Sequence, residues 1–188
     1  MLLTSGWVLC YNIRESMKIR EIFMKNKLIA ALLLLWILVI AGMIFWFSSK
    51  TGEESSDMSQ NVTDEIFDSQ PPVDEETGKK RHHAVRKSAH ILEYGVLGNA
   101  ICVFLFFITD AAFIRERSRY LLALWAWVGA TLYAVTDEIH QMFVPGRGPS
   151  FTDVTIDAIG AFLGVLAVWA FCRFALKNKK ICSEGNGD

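Results

Sequence analysis

Four stretches of this chain stay apolar for about as long as a helix needs to cross a hydrocarbon core, roughly 20 residues. Residues 28–47 carry no charge, residues 88–109 carry only His90 and Glu93, residues 120–136 none, and residues 154–172 only Asp157. One such run fits inside a soluble protein. Four in 188 residues, 52% of them apolar, leave too little polar chain to cover them. The sequence therefore predicts an all-α membrane protein: a small bundle of four transmembrane helices over about 28–47, 88–109, 120–141 and 153–173.

Orientation follows from where the cations fall. With both termini cytoplasmic, the inner segments hold twelve of the 19 Lys and Arg residues, Arg115, Arg117 and Arg119 among them. The outer segments hold seven, together with nine acids between Glu53 and Glu76. That imbalance predicts a cell-membrane protein with both ends inside, although the basic cluster from Lys79 to Lys87 runs against it. A net charge of −1 gives no field for nucleic acid.

Residues 1–27 read as a basic cytoplasmic lead, with Met1, Met17 and Met24 all plausible starts, and residues 28–173 as the membrane domain. The first apolar run is longer than a signal-peptide core and lacks a small-residue cleavage site, so it reads as an uncleaved anchor. Residues 48–87 form a polar outer loop with breakers at Pro71, Pro72 and Gly78. Within it Met58, Val62 and Ile66 are spaced for a short amphipathic helix, with a solvated linker as the other reading. Residues 174–188 form a cytoplasmic tail. Cys10, Cys102, Cys172 and Cys182 all avoid the outer loops, so no disulfide is expected.

The outer ends of the last three helices share a further property: the ionisable residues gather there. His90 and Glu93 are three apart and share a helical face. Asp137, His140 and Gln141 share a stripe with Tyr133, from which Glu138 is turned by about 100°. The turn from Val144 to Pro149 presents Arg147, and the next helix opens on Ser150 or Thr152 as cap, with Asp153 and, one turn deeper, Asp157. An uncompensated charge at mid-helix costs roughly 2.5–3.5 kcal/mol on insertion scales, so such residues mark a functional site by default. Simpler roles compete with that reading. Asp153 serves as a dipole partner, Glu138 faces headgroups, Arg86 and Lys87 anchor at the interface, and Arg147 pairs with Asp137 or Asp157. Gly160 and Gly164 form a GxxxG pair that permits close helix contact, within the chain or with a second copy as a homo-oligomer.

Several segments together carry a family resemblance. They are Phe47-Ser48-Ser49, Glu54-Ser55-Ser56, Arg86-Lys87-Ser88-Ala89-His90 with Glu93-Tyr94-Gly95 and Leu97-Gly98, then Tyr133-Ala134, Asp137-Glu138-Ile139-His140-Gln141, Val144-Pro145-Gly146-Arg147, Asp153, Ile156-Asp157 and Gly160-Ala161. Over about residues 40–170 the chain resembles the VanZ-like family. The resemblance implies a bacterial multi-pass membrane protein of the cell envelope, whose founding member confers low-level resistance to teicoplanin. Where family members often carry a longer polar stretch after the arginine, this chain has Gly148-Pro149-Ser150, which stiffens the turn.

Three functions fit these residues. In the first, His90, Glu93, Asp137, Glu138, His140, Gln141, Arg147, Asp153 and Asp157 form an outer-leaflet polar site for an amphipathic ligand, either a membrane lipid, a cell-wall precursor or a lipoglycopeptide. In the second, His90, Glu93, Asp137, His140 and Asp157, residue types of a metal site or of a carboxylate–His acid/base pair, serve a membrane-embedded hydrolase or transferase acting on a lipid-linked substrate. That chain has no H-E-x-x-H, nucleophile elbow or P-loop, and no metal or other cofactor is expected. The third, a transporter, is disfavoured because no helix is broken at mid-membrane and the inner halves are charge-free.

Overall fold

The computed structural model describes the backbone of residues 3–67, 74–109 and 116–184, and the side chains of residues 26–67, 74–109 and 119–174. The Pro71-Pro72 breaker, the side chains of the basic lead through Lys25, those of Arg115 and Arg117, and those of the tail from residue 175 lie outside the described residues. Among those described there are five helices and no strand: α1 (Leu3–Ser48), α2 (Gly52–Phe67), α3 (Glu75–Ile108), α4 (Glu116–Gln141) and α5 (Phe151–Glu184).

Three of them are long and apolar enough to cross a membrane, over Asn26–Ser48, Glu75–Ile108 and Phe151–Phe174. The expectation of four such helices is thus met for three. The physical reason lies in the composition of α4, where Trp125, Trp127, Tyr120 and Tyr133 replace aliphatic residues. Two of those rings use their polar ends inside the bundle. Trp127 Nε1 donates to the Ala158 carbonyl of α5 at 3.0 Å, and the Tyr133 hydroxyl donates to the Ala41 carbonyl of α1 at 2.6 Å. Polar handles that lower the hydropathy of α4 pin it to its neighbours.

α3 is the hub and packs against every other helix. Its tightest partner is α5, because both offer bare backbone at the crossing. A Cβ on Gly164 would run into the Gly95 carbonyl oxygen, one on Gly160 would lie 2.5 Å from the Ile91 oxygen, and one on Gly98 would lie 2.6 Å from the Ala161 oxygen. In lipid there is no hydrophobic drive between helices, so close van der Waals contact of this kind does the holding. The Gly160–Gly164 face is therefore covered by α3 of the same chain. Around the crossing, Ile40, Ile44, Tyr94, Leu97, Ala100, Ala130, Ala134 and Ala161 form one core cluster and Cys102, Phe106, Ala126, Val165 and Val168 the next.

The stretch expected as a polar loop over residues 48–87 is largely helical. The amphipathic spacing around Met58 does form α2, with Met58, Val62 and Ile66 left exposed. α3 begins at Glu75, well before the expected Ser88, because strong local signals start it there. Asp74 caps the helix by accepting from Thr77 N at 2.6 Å, and Lys79 and Lys80 pair with Glu75 and Glu76 one turn back. α2 opens on a reciprocal capping box: Thr51 N donates to Glu54 Oε2 at 3.0 Å, and Glu54 N donates to Thr51 Oγ1 at 3.2 Å.

These backbone hydrogen bonds hold the Glu54 and Asp74 carboxyls below their ordinary values of 4.5 and 3.8. A depressed folded value means that each cap is at full strength above the ordinary value and weakens as pH falls through the lower one. The amide shifts of Thr51 and Thr77 should accordingly titrate with midpoints below 4.5 and 3.8 in an NMR pH series. Midpoints at or above those values would show that the caps do not form.

Candidate functional site

The polar residues meet where α1 ends, α4 ends, α5 begins and the middle of α3 passes. The α4–α5 connection folds back because Val144 N bonds to Gln141 O at 3.1 Å, Arg147 N bonds to Val144 O at 3.2 Å, and Gly146 takes a φ of 75° that suits glycine. Ser150 then caps α5, its hydroxyl accepting from Asp153 N at 3.3 Å. Glu138, only 7% exposed, turns inward to accept from Ser150 N at 2.5 Å. It holds the start of α5 rather than facing headgroups.

Two buried carboxylates have different partners. Asp157, 2% exposed on α5, lies with Oδ1 3.1 Å from His90 Nδ1 on α3. The bond aims the other imidazole nitrogen, Nε2, away from Asp157, and His90 lines both cavities described below. Asp137, 4% exposed on α4, accepts at Oδ2 from the Ser48 hydroxyl at 2.7 Å and from Gln141 Nε2 at 3.0 Å. Its Oδ1 and the fully buried Tyr94 hydroxyl have no hydrogen-bond partner among the described residues.

The sequence placed nine residues together, and the structure divides them. His140 leaves the group for α1, stacking on Phe45 at 4.4 Å with its Nε2 3.2 Å from the Ser49 hydroxyl. Arg147 makes no ion pair with Asp137 or Asp157. Its Nη2 donates to the Phe47 carbonyl at 3.4 Å and its buried Nε is unpartnered. Burial, followed by the like charge of Arg86, pulls its pKa below the usual arginine range, while Asp137, Glu138 and Asp153 push the other way.

What remains is arranged around two cavities with a common wall. The larger, about 440 Å³, is lined by His83, Arg86, Lys87, His90 and Arg147, with Asp153 its one carboxylate and Gln141 also on its wall. The smaller, about 250 Å³, lies under α2 and is lined mainly by apolar atoms, from Phe47, Met58, Val62, Val85 and Ala89, with Glu93 also on its wall. Arg86, His90 and Arg147 border both. The sequence reading missed His83, and it took Ser48, Arg86 and Lys87 as parts of the resemblance segments, the last two also as interfacial anchors, without counting any of them in the site. The early start of α3 at Glu75 is the signal that would have placed His83, Arg86 and Lys87 on one continuous helix with His90. Among the described residues, no three His, Cys, Asp or Glu side chains converge as a metal site requires.

No curated protein and no solved structure matches the chain. A family model does, that of VanZ/LLP1, over residues 33–173. That span takes in α2, α3, α4 and both cavities, and the chain belongs to the VanZ/LLP1 family.

Proposed function

We propose that this chain spans the bacterial cell membrane four times with both termini cytoplasmic, and that its site opens at the outer leaflet to bind an amphipathic ligand. The excess of Lys and Arg in the inner segments supports the orientation. α4 supports the count of four, since it is hydrogen-bonded to α1 and α5 between two apolar spans. One observation carries the binding reading: a cationic polar cavity and an apolar one share the wall made by Arg86, His90 and Arg147. A ligand with an anionic head and an acyl chain fits both at once. A membrane lipid, a lipid-linked cell-wall precursor and a lipoglycopeptide such as teicoplanin all have that form, which ties the site to cell-envelope function and glycopeptide resistance.

Arg147 is central because it borders both cavities, with one long bond from Nη2 to the Phe47 carbonyl and no ion pair among the described residues. Arg147→Ala should lower retention of anionic lipid about ten-fold or more in native mass spectrometry, with the protein still in the membrane. Retention unchanged from the wild type would rule out the shared wall as the binding element. The His90–Asp157 pair supports a second reading, a hydrolase or transferase in which the carboxylate orients an imidazole that takes a proton from an attacking water or alcohol. Conversion of the bound lipid by the wild type, and its loss in the arginine variant, would favour that reading over binding alone.

A further inference from the structure

We infer that the chain holds a second lipid at the end of the bundle opposite the polar site: an anionic glycerophospholipid with an acyl chain in a groove between α4 and α5. The groove, about 270 Å³, is lined mainly by Tyr120, Leu124 and Trp127 on α4 and by Phe162, Leu166 and Trp169 on α5. On each helix these residues recur every three or four positions, so they form facing stripes about 10 Å long that run with the helix axes. Tyr120 precedes Asp137 by 17 residues of one helix, about 25 Å, which sets the far end of the groove across the bundle from both cavities. With both termini cytoplasmic, as proposed above, that end lies in the inner leaflet.

Aromatic contacts bound the groove at each end. Trp127 meets Phe162 edge-on with ring centroids 6.4 Å apart, where its Nε1 is fixed to the Ala158 carbonyl. At the other end the Tyr120 and Trp169 rings lie 5.5 Å apart. The exposed Arg173 reaches over them, its guanidinium 5.1 Å from the Trp169 ring and its Nη1 donating to the Tyr120 hydroxyl at 3.3 Å. Between the two ends Leu124, Phe162 and Leu166 are exposed.

Shape and charge select the occupant. A helix is about 10 Å across, so a 10 Å length of one fills roughly 800 Å³ and does not seat in this groove, whereas a single extended acyl chain does. Trp, Tyr and Arg at one level mark a headgroup boundary. The segments that continue from the cationic end, residues 110–119 and 173–188, hold seven Lys and Arg against four Asp and Glu. That excess attracts an anionic head and gives no advantage to a zwitterionic one.

The test uses the full chain in phosphatidylcholine nanodiscs doped with a lipid that carries a photoactivatable diazirine on its acyl chain. Phosphatidylglycerol and phosphatidylcholine probes are compared, and the adducts are mapped by peptide mass spectrometry. Leu124, Phe162 and Leu166 should be labelled about five-fold more by the phosphatidylglycerol probe. Arg173→Gln should at least halve that preference, while labelling of Met58 and Val62 at the smaller cavity stays as in the wild type and so reports the outer site separately. Leu166→Trp fills the groove and should remove the adducts at Leu124 and Phe162 with both probes. Equal labelling by the two probes overturns the anionic head. Groove residues labelled no more than Leu35 and Leu38, which are exposed on α1, hold ordinary boundary lipid, and that overturns the site. A dimer by intact mass with the groove unlabelled assigns it to a second copy and overturns the lipid.

Discussion

Gly164→Val is expected to remove the folded bundle, lowering stability by at least about 3 kcal/mol, the upper end of what overpacking usually costs. Any Cβ at this position collides with the Gly95 carbonyl oxygen. The obstacle is backbone in the middle of α3, so no rotamer change relieves it and the two helices must separate. Separation also withdraws Ala161 from Gly98 and Gly160 from Ile91, and it breaks the register that sets His90 against Asp157. Gly129→Ala is the matched control: a Cβ there meets nothing within 4 Å, and alanine favours the helix by up to about 1 kcal/mol. Unfolding in mixed micelles, followed by helical circular dichroism and by tryptophan emission, would measure both. If the Gly164 variant unfolds at the same point as the control, the α3–α5 contact is not the principal support.

The second large effect concerns the buried pair. His90→Leu leaves the Asp157 carboxylate facing a hydrocarbon side chain at a position 2% exposed, and should cost about 3–5 kcal/mol. Replacing both partners, as His90→Leu with Asp157→Leu, should restore much of that loss, because no charge is then left without compensation. The double variant also separates stability from function. It lacks the imidazole that borders both cavities, so lipid retention should stay low while the unfolding midpoint recovers. A double variant no more stable than His90→Leu alone would contradict this account of the pair.

The parts of this fold that depend on local pattern were legible. Apolar runs marked α1, α3, α4 and α5, and the spacing of Met58, Val62 and Ile66 marked α2. The Gly160–Gly164 pair announced a close approach, but nothing near it in sequence named Gly95 and Gly98 as the surfaces it meets. The start of α3 was hidden for a different reason. Hydropathy reports where a helix can enter lipid, whereas Asp74, Glu75 and Glu76 start this one more than three turns earlier, in a stretch that hydropathy scores as loop. At the site, helical period put Asp137 and His140 on one stripe with Glu138 about 100° from it, and left their partners unnamed. Tertiary contacts supply those partners, since Phe45 and Ser49 take the histidine and the amide of Ser150 draws Glu138 in.

The short junction between α1 and α2 has a mechanical consequence. Gly52 N–H is bonded to the Pro145 carbonyl at 3.0 Å, and the Gly52 and Gly146 backbones are so close that a side chain at Gly52 would not fit. The first residue of α2 is thereby tethered to the turn that carries Arg147. Any displacement of α2 at its first turn is therefore passed to the turn that carries Arg147, and the reverse. The two cavities that Arg147 borders are thus joined by backbone as well as by a shared wall.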